Sequence, residues 1–387
     1  MAFKRFILGC LLLAGSAAFG QDSAELPVAV SQEPSWVSSP MDSVRRLPPV
    51  VEEPNFSPVS DTEITSAPPS PPEESRKNRS GMPGMFDKNR SPISYRATWF
   101  PAVHVSGQDA NFAMVDQNLS VMAPLAMPST DEKSPLDRPA GGWFVSASVQ
   151  NQSIATEAIL PDTGAEYPNE LWNISAGLNY FRKLDNDWFL GGGVNLGSAS
   201  DRPFASIDEM FVSVMAFLRI PSGERNAWIF SVFYAPMSEL RFPIPMVAYQ
   251  YSPSESFRMN IGLPLSFTYR PMERVTLEAS YMPIHTIHAK AKYEMADWLD
   301  AFIAYDWSNQ SYALAGRTDF QQRFYLYDQR LSAGLESTFA RHYFAELSAG
   351  LIFDRYSFEG RQWDTTQFNR VTFGNGPFAS LQGGLKF

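Results

Sequence analysis

Phe378-Ala379-Ser380-Leu381-Gln382-Gly383-Gly384-Leu385-Lys386-Phe387 closes the chain, and its spacing decides how the preceding sequence folds. Ala379, Leu381, Gly383, Leu385 and Phe387 share one face. Ser380, Gln382, Gly384 and Lys386 share the other. This period of two is that of a strand with one greasy side. On a soluble protein such an edge invites aggregation. The same texture recurs upstream. Trp143, Val145, Ala147 and Val149 oppose Ser146, Ser148 and Gln150, and Trp172, Ile174, Ala176, Leu178 and Tyr180 oppose Asn173, Ser175, Gly177 and Asn179. Trp228, Phe230, Val232 and Tyr234 repeat it. So do Val275 to Tyr281 and, at greater length, Tyr343 to Phe353.

Alternation alone fits both a soluble sandwich, with its apolar face packed inside, and a membrane barrel, with its apolar face turned to lipid. Three features favour the barrel. The segments approach the ~9–11 residues that a tilted strand needs to cross a bilayer, whereas ordinary strands average ~5–6. The polar faces carry Gly, Ser, Asn and charge, which suit a wet interior. The apolar faces begin or end in Trp or Tyr, as membrane strands do at the two interfaces. The expected fold is all-β: a transmembrane antiparallel up-and-down barrel over residues 91–387.

Composition agrees. Aromatics reach 14% and charged residues only 19%, and the net charge of −10 argues against a nucleic-acid partner, which needs clustered cations. The one cysteine, Cys10, excludes a disulfide framework and a Cys-based zinc site. Lys4 and Arg5 precede an apolar run ending near Ala14, and Ala18-Phe19-Gly20 follows. Residues 1–20 thus read as a secretory signal peptide. Residues 21–90 hold Pro48-Pro49, Pro68-Pro69 and Pro71-Pro72 among Ser, Glu and Thr, with sparse hydrophobics. The expectation there is a disordered periplasmic linker.

Within the barrel, Asp185-Asn186-Asp187, Pro221 to Glu224 and Ala340-Arg341-His342 read as short turns at one end. Gaps near 154–169, 309–320 and 355–375 read as longer loops at the other. The last gap holds Arg355, Glu359, Arg361 and Asp364, and reads as an ordinary solvated loop or an inward constriction. A local repeat, Tyr-x-Pro-x-Glu-x-apolar, begins at Tyr251 and again at Tyr269. Either Pro264 makes a tight reversal between the two copies, or Phe257 to Tyr269 is one strand kinked at Pro264. The expected strand number is 12 to 16, even because both ends belong on one side, with 14 as the best value.

The terminal strand, with Leu381, Leu385 and Phe387 on its apolar face, resembles the signal read by the barrel-assembly machinery. Gly383 departs from that pattern, which prefers a larger apolar residue. From residue 91 onward the chain resembles the uncharacterised porin- or transporter-like outer-membrane barrels of Gram-negative bacteria, several of which carry a Pro-rich N-terminal stretch. The resemblance implies an outer-membrane location, lipid as the surrounding solvent, and passage of small solutes.

The chemistry is sparse. His285 and His288 fall on opposite strand faces, a poor metal pair, so no metal and no cofactor are expected. His104 and Ser106 share a face, as a nucleophilic pair requires. They resemble the His-x-Ser pair of outer-membrane lipid hydrolases, with no third member evident to orient the histidine. Gly191-Gly192-Gly193 reads as a bend or a small-residue lumen face. Arg258, Arg274, Glu278, Arg330, Glu346 and Asp354 are the expected lumen-lining charges, able to set ion preference in a channel. The function expected is passage of small solutes through a narrow or loop-plugged pore, without enzymatic activity. A lipid-modifying hydrolase and a non-conducting anchor are the alternatives.

Overall fold

The computed structural model describes residues 92–126, 141–236, 242–283, 285–317, 319, 321–340, 342–361 and 367–385. Residues 1–20, read above as a signal peptide, residues 21–90, read as a linker, Asp364 and Phe387 lie outside the described residues. The strands are β1 (Ile93–His104), β2 (Asn111–Ala126), β3 (Gly141–Thr156), β4 (Glu170–Lys183), β5 (Phe189–Ser200) and β6 (Met210–Ser222). Next come β7 (Asn226–Tyr234), β8 (Ile244–Tyr251), β9 (Phe257–Gly262), β10 (Leu265–Met272), β11 (Val275–Met282) and β12 (Thr286–Ala296). The last are β13 (Leu299–Tyr312), β14 (Arg323–Phe339), β15 (Tyr343–Gly360), β16 (Phe368–Phe373) and β17 (Gly376–Leu385). One turn of 3-10 helix, Ile207–Glu209, precedes β6.

All of these strands join one sheet, antiparallel between neighbours. β1 pairs with β17 from Ile93↔Leu385 to Trp99↔Ala379, which closes the ring. Closure leaves no open edge, so the backbone of every wall strand finds partners without help from solvent. β16 and β17 lie end to end along β15, with Phe373 opposite Arg355 and Gly376 opposite Ile352. They count as one wall strand broken at Gly374 and Asn375, so the ring has 16. The sequence value of 14 falls short. Alternation from Phe257 to Tyr269 runs unbroken through Pro264 and hides a two-residue reversal, at a cis Leu263–Pro264 bond, between β9 and β10. Both copies of the Tyr-x-Pro-x-Glu repeat turn at the same end, with the reversal at the other.

Residues 184–188, 223–225, 273–274 and 297–298 make short connections at the end that holds Ile93 and Leu385, the turn end. Residues 157–169, 201–209 and 313–322 connect strands at the opposite, loop end. Burial is inverted relative to a water-soluble protein. Leu347, Leu351 and Leu381 are each 58–61% exposed on the outer wall, while Thr98, Ser332 and Ser348 are buried facing the lumen. The wall is uneven: β14 and β15 run 17 and 18 residues, whereas β8, β9, β10 and β11 run 8, 6, 8 and 8.

A second, inward-facing core occupies the loop end. Phe100, Phe112 and Met114 from β1 and β2 meet Tyr312, Phe324 and Ile352 from β13 to β15, with Val371 and Phe373 from β16. Residues 157–169 fold in over it, adding Ala158, Leu160 and Tyr167. Tyr167 stands edge-on to Phe112 at 5.7 Å and to Phe324 at 5.5 Å. β5 and β13, eight places apart in the ring, touch across this end. Ala313 bridges to Ser200, its N–H donates to the Ala199 carbonyl at 2.7 Å, and the Ala315 N–H donates to Asp201 Oδ1 at 2.6 Å. A strap therefore crosses the mouth between facing walls, and the apolar core fills the side of β14 to β4.

Candidate functional site

Below this core lies a polar cavity of about 560 Å³. Its walls come from alternate residues of β1, β2, β12 to β15 and β17. The run His288-Ala289-Lys290-Ala291-Lys292 on β12 is informative: small outward residues alternate with inward basic side chains. Each of the three meets a carboxylate from another strand. His288 Nδ1 lies 2.6 Å from Asp306 Oδ1. Lys290 Nζ is 3.4 Å from Glu336 and 3.0 Å from Glu346. Lys292 Nζ is 3.2 Å from Asp300, and Arg330 pairs with Asp328 at 2.7 Å. The result is a polar ladder up one wall: the β12 groups reach across to β13, β14 and β15, and Arg330 and Asp328 sit two residues apart on one face of β14. Arg96 is held differently, donating to the neutral Gln382 Oε1 at 2.8 and 2.6 Å.

Above the cavity, Arg355 is 1% exposed and lies over the rings of Phe112 at 4.5 Å and Phe100 at 4.9 Å. Its Nη2 donates to Met114 Sδ at 3.1 Å. A guanidinium prefers aromatic faces to bare hydrocarbon, so the rings offset part of its lost hydration. In the loop above, burial pushes the Tyr167 hydroxyl well above the usual tyrosine range, with Ser357 and Arg355 opposing the shift only in part. This ring is an apolar filler at any physiological pH.

The inward loop is itself clamped. Asp162 N and Thr163 N donate to Asn369 Oδ1 at 3.0 and 3.1 Å, and Asn369 N donates back to Asp162 Oδ2. Asn369 is fully buried and has φ +51°, the left-handed conformation that asparagine tolerates better than most residues.

Of the expected lumen charges, Arg330 and Glu346 line the cavity, and Glu278 faces the field of Lys292. Arg258 lies on the face of β9 opposite the outward Ile261. Arg274 does not line the lumen: it stands in the turn between β10 and β11, exposed. Asp354 is also outside. It has φ +47° and sits at a bulge where the register between Tyr327 and Gln329 slips by one, and it accepts from Gln329 Nε2 at 2.8 Å. That extra residue flips the parity beyond it and carries Arg355 inward. From Arg355 to Gly360 the chain continues β15 and is not a solvated loop, and Arg355 turns inward into the core that narrows the mouth.

His104 ends β1 and Ser106 lies in the following turn, both exposed. Their backbones bond to β16 and Gly374, and among the described residues neither side chain bonds to the other or to a carboxylate. His285 sits in the turn before β12, away from the lumen-facing His288. Gly191 faces the lumen where a Cβ would collide with the Phe217 and Phe181 rings, so the glycine run is a small-residue face and not a bend. Among the described residues no group of three metal-ligating side chains converges.

The chain is similar to several solved barrels. The β domain of the Bordetella autotransporter BrkA is 9% identical, with 76% of this chain and 99% of that chain covered and a TM-score of 0.27. The COG4313 outer membrane channel from Pseudomonas putida F1 is 11% identical, covering 79% and 99%, with a TM-score of 0.31. OccK7 (OpdD) of Pseudomonas aeruginosa is 10% identical, covering 76% and 98%, at 0.27. No curated protein matches the sequence. A family model described as a domain of unknown function, DUF6268, matches residues 140–382, and the chain belongs to that family.

Proposed function

We propose that this barrel spans an outer membrane and passes small hydrophilic solutes at low conductance. The observation that carries this reading is the inversion of its two faces: hydrocarbon outside, a charge-lined cavity within. Burying a leucine-sized side chain is worth about 1.5–3 kcal/mol. Leu331, Leu335, Leu347 and Leu351, all exposed on two adjacent strands, would in water forgo an amount comparable to the ~5–15 kcal/mol net stability of a domain. Acyl chains remove that cost. Inside, a barrel of 16–18 strands has room for an aqueous channel. Here the apolar core and strap reduce that room, so the conduit is narrow. A solute entering at the turn end meets the charge ladder first. Its paired carboxylates and cations create a transverse field without a large net charge.

The proposal includes a leader at residues 1–20, a periplasmic tether at 21–90 and insertion by the barrel-assembly machinery through the Leu381, Leu385 and Phe387 face. Two measurements test it. Protein lacking residues 1–20 should require detergent or lipid, and a monodisperse sample in plain buffer would overturn the membrane reading. Refolded into a planar bilayer, it should give small discrete conductance steps. Silence there, together with acyl hydrolysis abolished in His104→Ala, would replace the channel with an enzyme.

A further inference from the structure

Besides Arg96 and Arg355, two further lumen arginines stand outside the pattern of matched charge. Arg219 on β6 and Arg258 on β9 make no ion pair among the described residues, whereas Lys290, Lys292, Arg330 and His288 each have a carboxylate. Arg219 Nε donates only to the neutral Gln250 Oε1, at 3.3 Å. Gln250 is 3% exposed and lies directly opposite Asn260 across β8 and β9. Arg258 is two residues from Asn260 on the same face, which puts it on the patch where Gln250 holds Arg219. Asn260 Nδ2 donates to Ser266 Oγ at 2.9 Å, which leaves its Oδ1 buried without a donor. Arg258 Nε is likewise buried without an acceptor. Two like charges and two orphaned polar atoms share one patch of lumen wall.

We propose that Arg219, Gln250, Arg258 and Asn260 form a phosphate-binding site in the lumen. A tetrahedral oxyanion gives acceptors to guanidiniums arriving from two strands and cancels their repulsion. A phosphate that retains a hydroxyl, as inorganic phosphate does at neutral pH, also supplies the donor that Asn260 Oδ1 lacks. Sulfate carries the charge without that donor. The site therefore prefers phosphate to sulfate, and Asn260 is the residue that tells them apart.

This inference rests on the reading of the polar face as a lumen but not on conduction, so it is tested by calorimetric titration of detergent-solubilised protein. Wild-type protein should bind inorganic phosphate saturably and sulfate about tenfold more weakly. R219Q/R258Q should weaken phosphate at least ~100-fold, the loss of two charge-assisted hydrogen bonds. N260A should erase the preference over sulfate while leaving sulfate affinity unchanged. If the double variant does not fold, R258Q alone should weaken phosphate at least ~10-fold. No saturable phosphate binding by wild-type protein, or binding that survives loss of the arginines, overturns the site. Phosphate binding in a barrel that conducts nothing keeps the site and discards the channel.

Discussion

Replacing Tyr167 by alanine should open the loop end. The side chain is 3% exposed and makes edge contacts with Phe112 at 5.7 Å, Phe324 at 5.5 Å and Phe373 at 5.8 Å. Removing a buried aromatic of this kind costs about 3–5 kcal/mol, part of it from the cavity left behind. The Asp162–Asn369 clamp stays, so the loss falls on the docking of residues 157–169 against the core. At ~1.4 kcal/mol per power of ten, the ratio of docked to undocked loop drops by roughly two to three powers of ten. In planar bilayers Tyr167→Ala should show larger or more frequent conductance steps than wild type. Tyr167→Phe keeps all three ring contacts and should behave like wild type. If the alanine variant keeps the heat-modified gel migration of a folded barrel and conducts identically, the aromatic core does not hold the mouth shut and the plug argument fails.

Lys290→Ala takes the cation from Glu346 and leaves Glu336 the more distant Lys292, at 3.9 Å. It should cost about 1.5–3 kcal/mol in urea unfolding and move the reversal potential toward cation selectivity. Arg355→Met removes a buried guanidinium that has no carboxylate within ion-pair distance among the described residues. The free energy of unfolding should hold or rise, by up to about 4 kcal/mol, and a clear loss would show that the ring contacts outweigh the desolvation. Asp201→Ala takes the acceptor from Ala315 N–H, with a local cost of about 1–3 kcal/mol. Hydrogen exchange at residues 313–317 should accelerate while the wall strands keep their protection.

The wall was legible in sequence because lipid and lumen impose the simplest of periods, and a residue's parity names its face wherever the strand is regular. Arg258, Glu278, Arg330 and Glu346 were found that way. Parity fails where the backbone departs from the pleat. At Asp354 one left-handed residue shifts the count and exchanges it for Arg355, and alternation carries no mark of a bulge. Arg274 was lost to a turn only two residues long, too short to interrupt the pattern. The inward core left no local signal at all. Phe100, Tyr167 and Phe373 are distant in sequence, and only ring closure brings them together. The β12 run from His288 to Lys292 shows in sequence as basic residues spaced by alanines, but its carboxylate partners depend on register.

The short flank has a consequence for the surrounding membrane. At ~3.3 Å per residue and ~40° of tilt, an eight-residue strand rises roughly 20 Å, about 5 Å less than the ~25 Å apolar band of such barrels. β14 and β15 exceed that band. In the bilayer proposed for it, lipid around this molecule would meet a lopsided collar. Leaflets would pinch inward beside β8 to β11 and recover their full depth on the far side, at a cost of fractions of a kcal/mol per ångström.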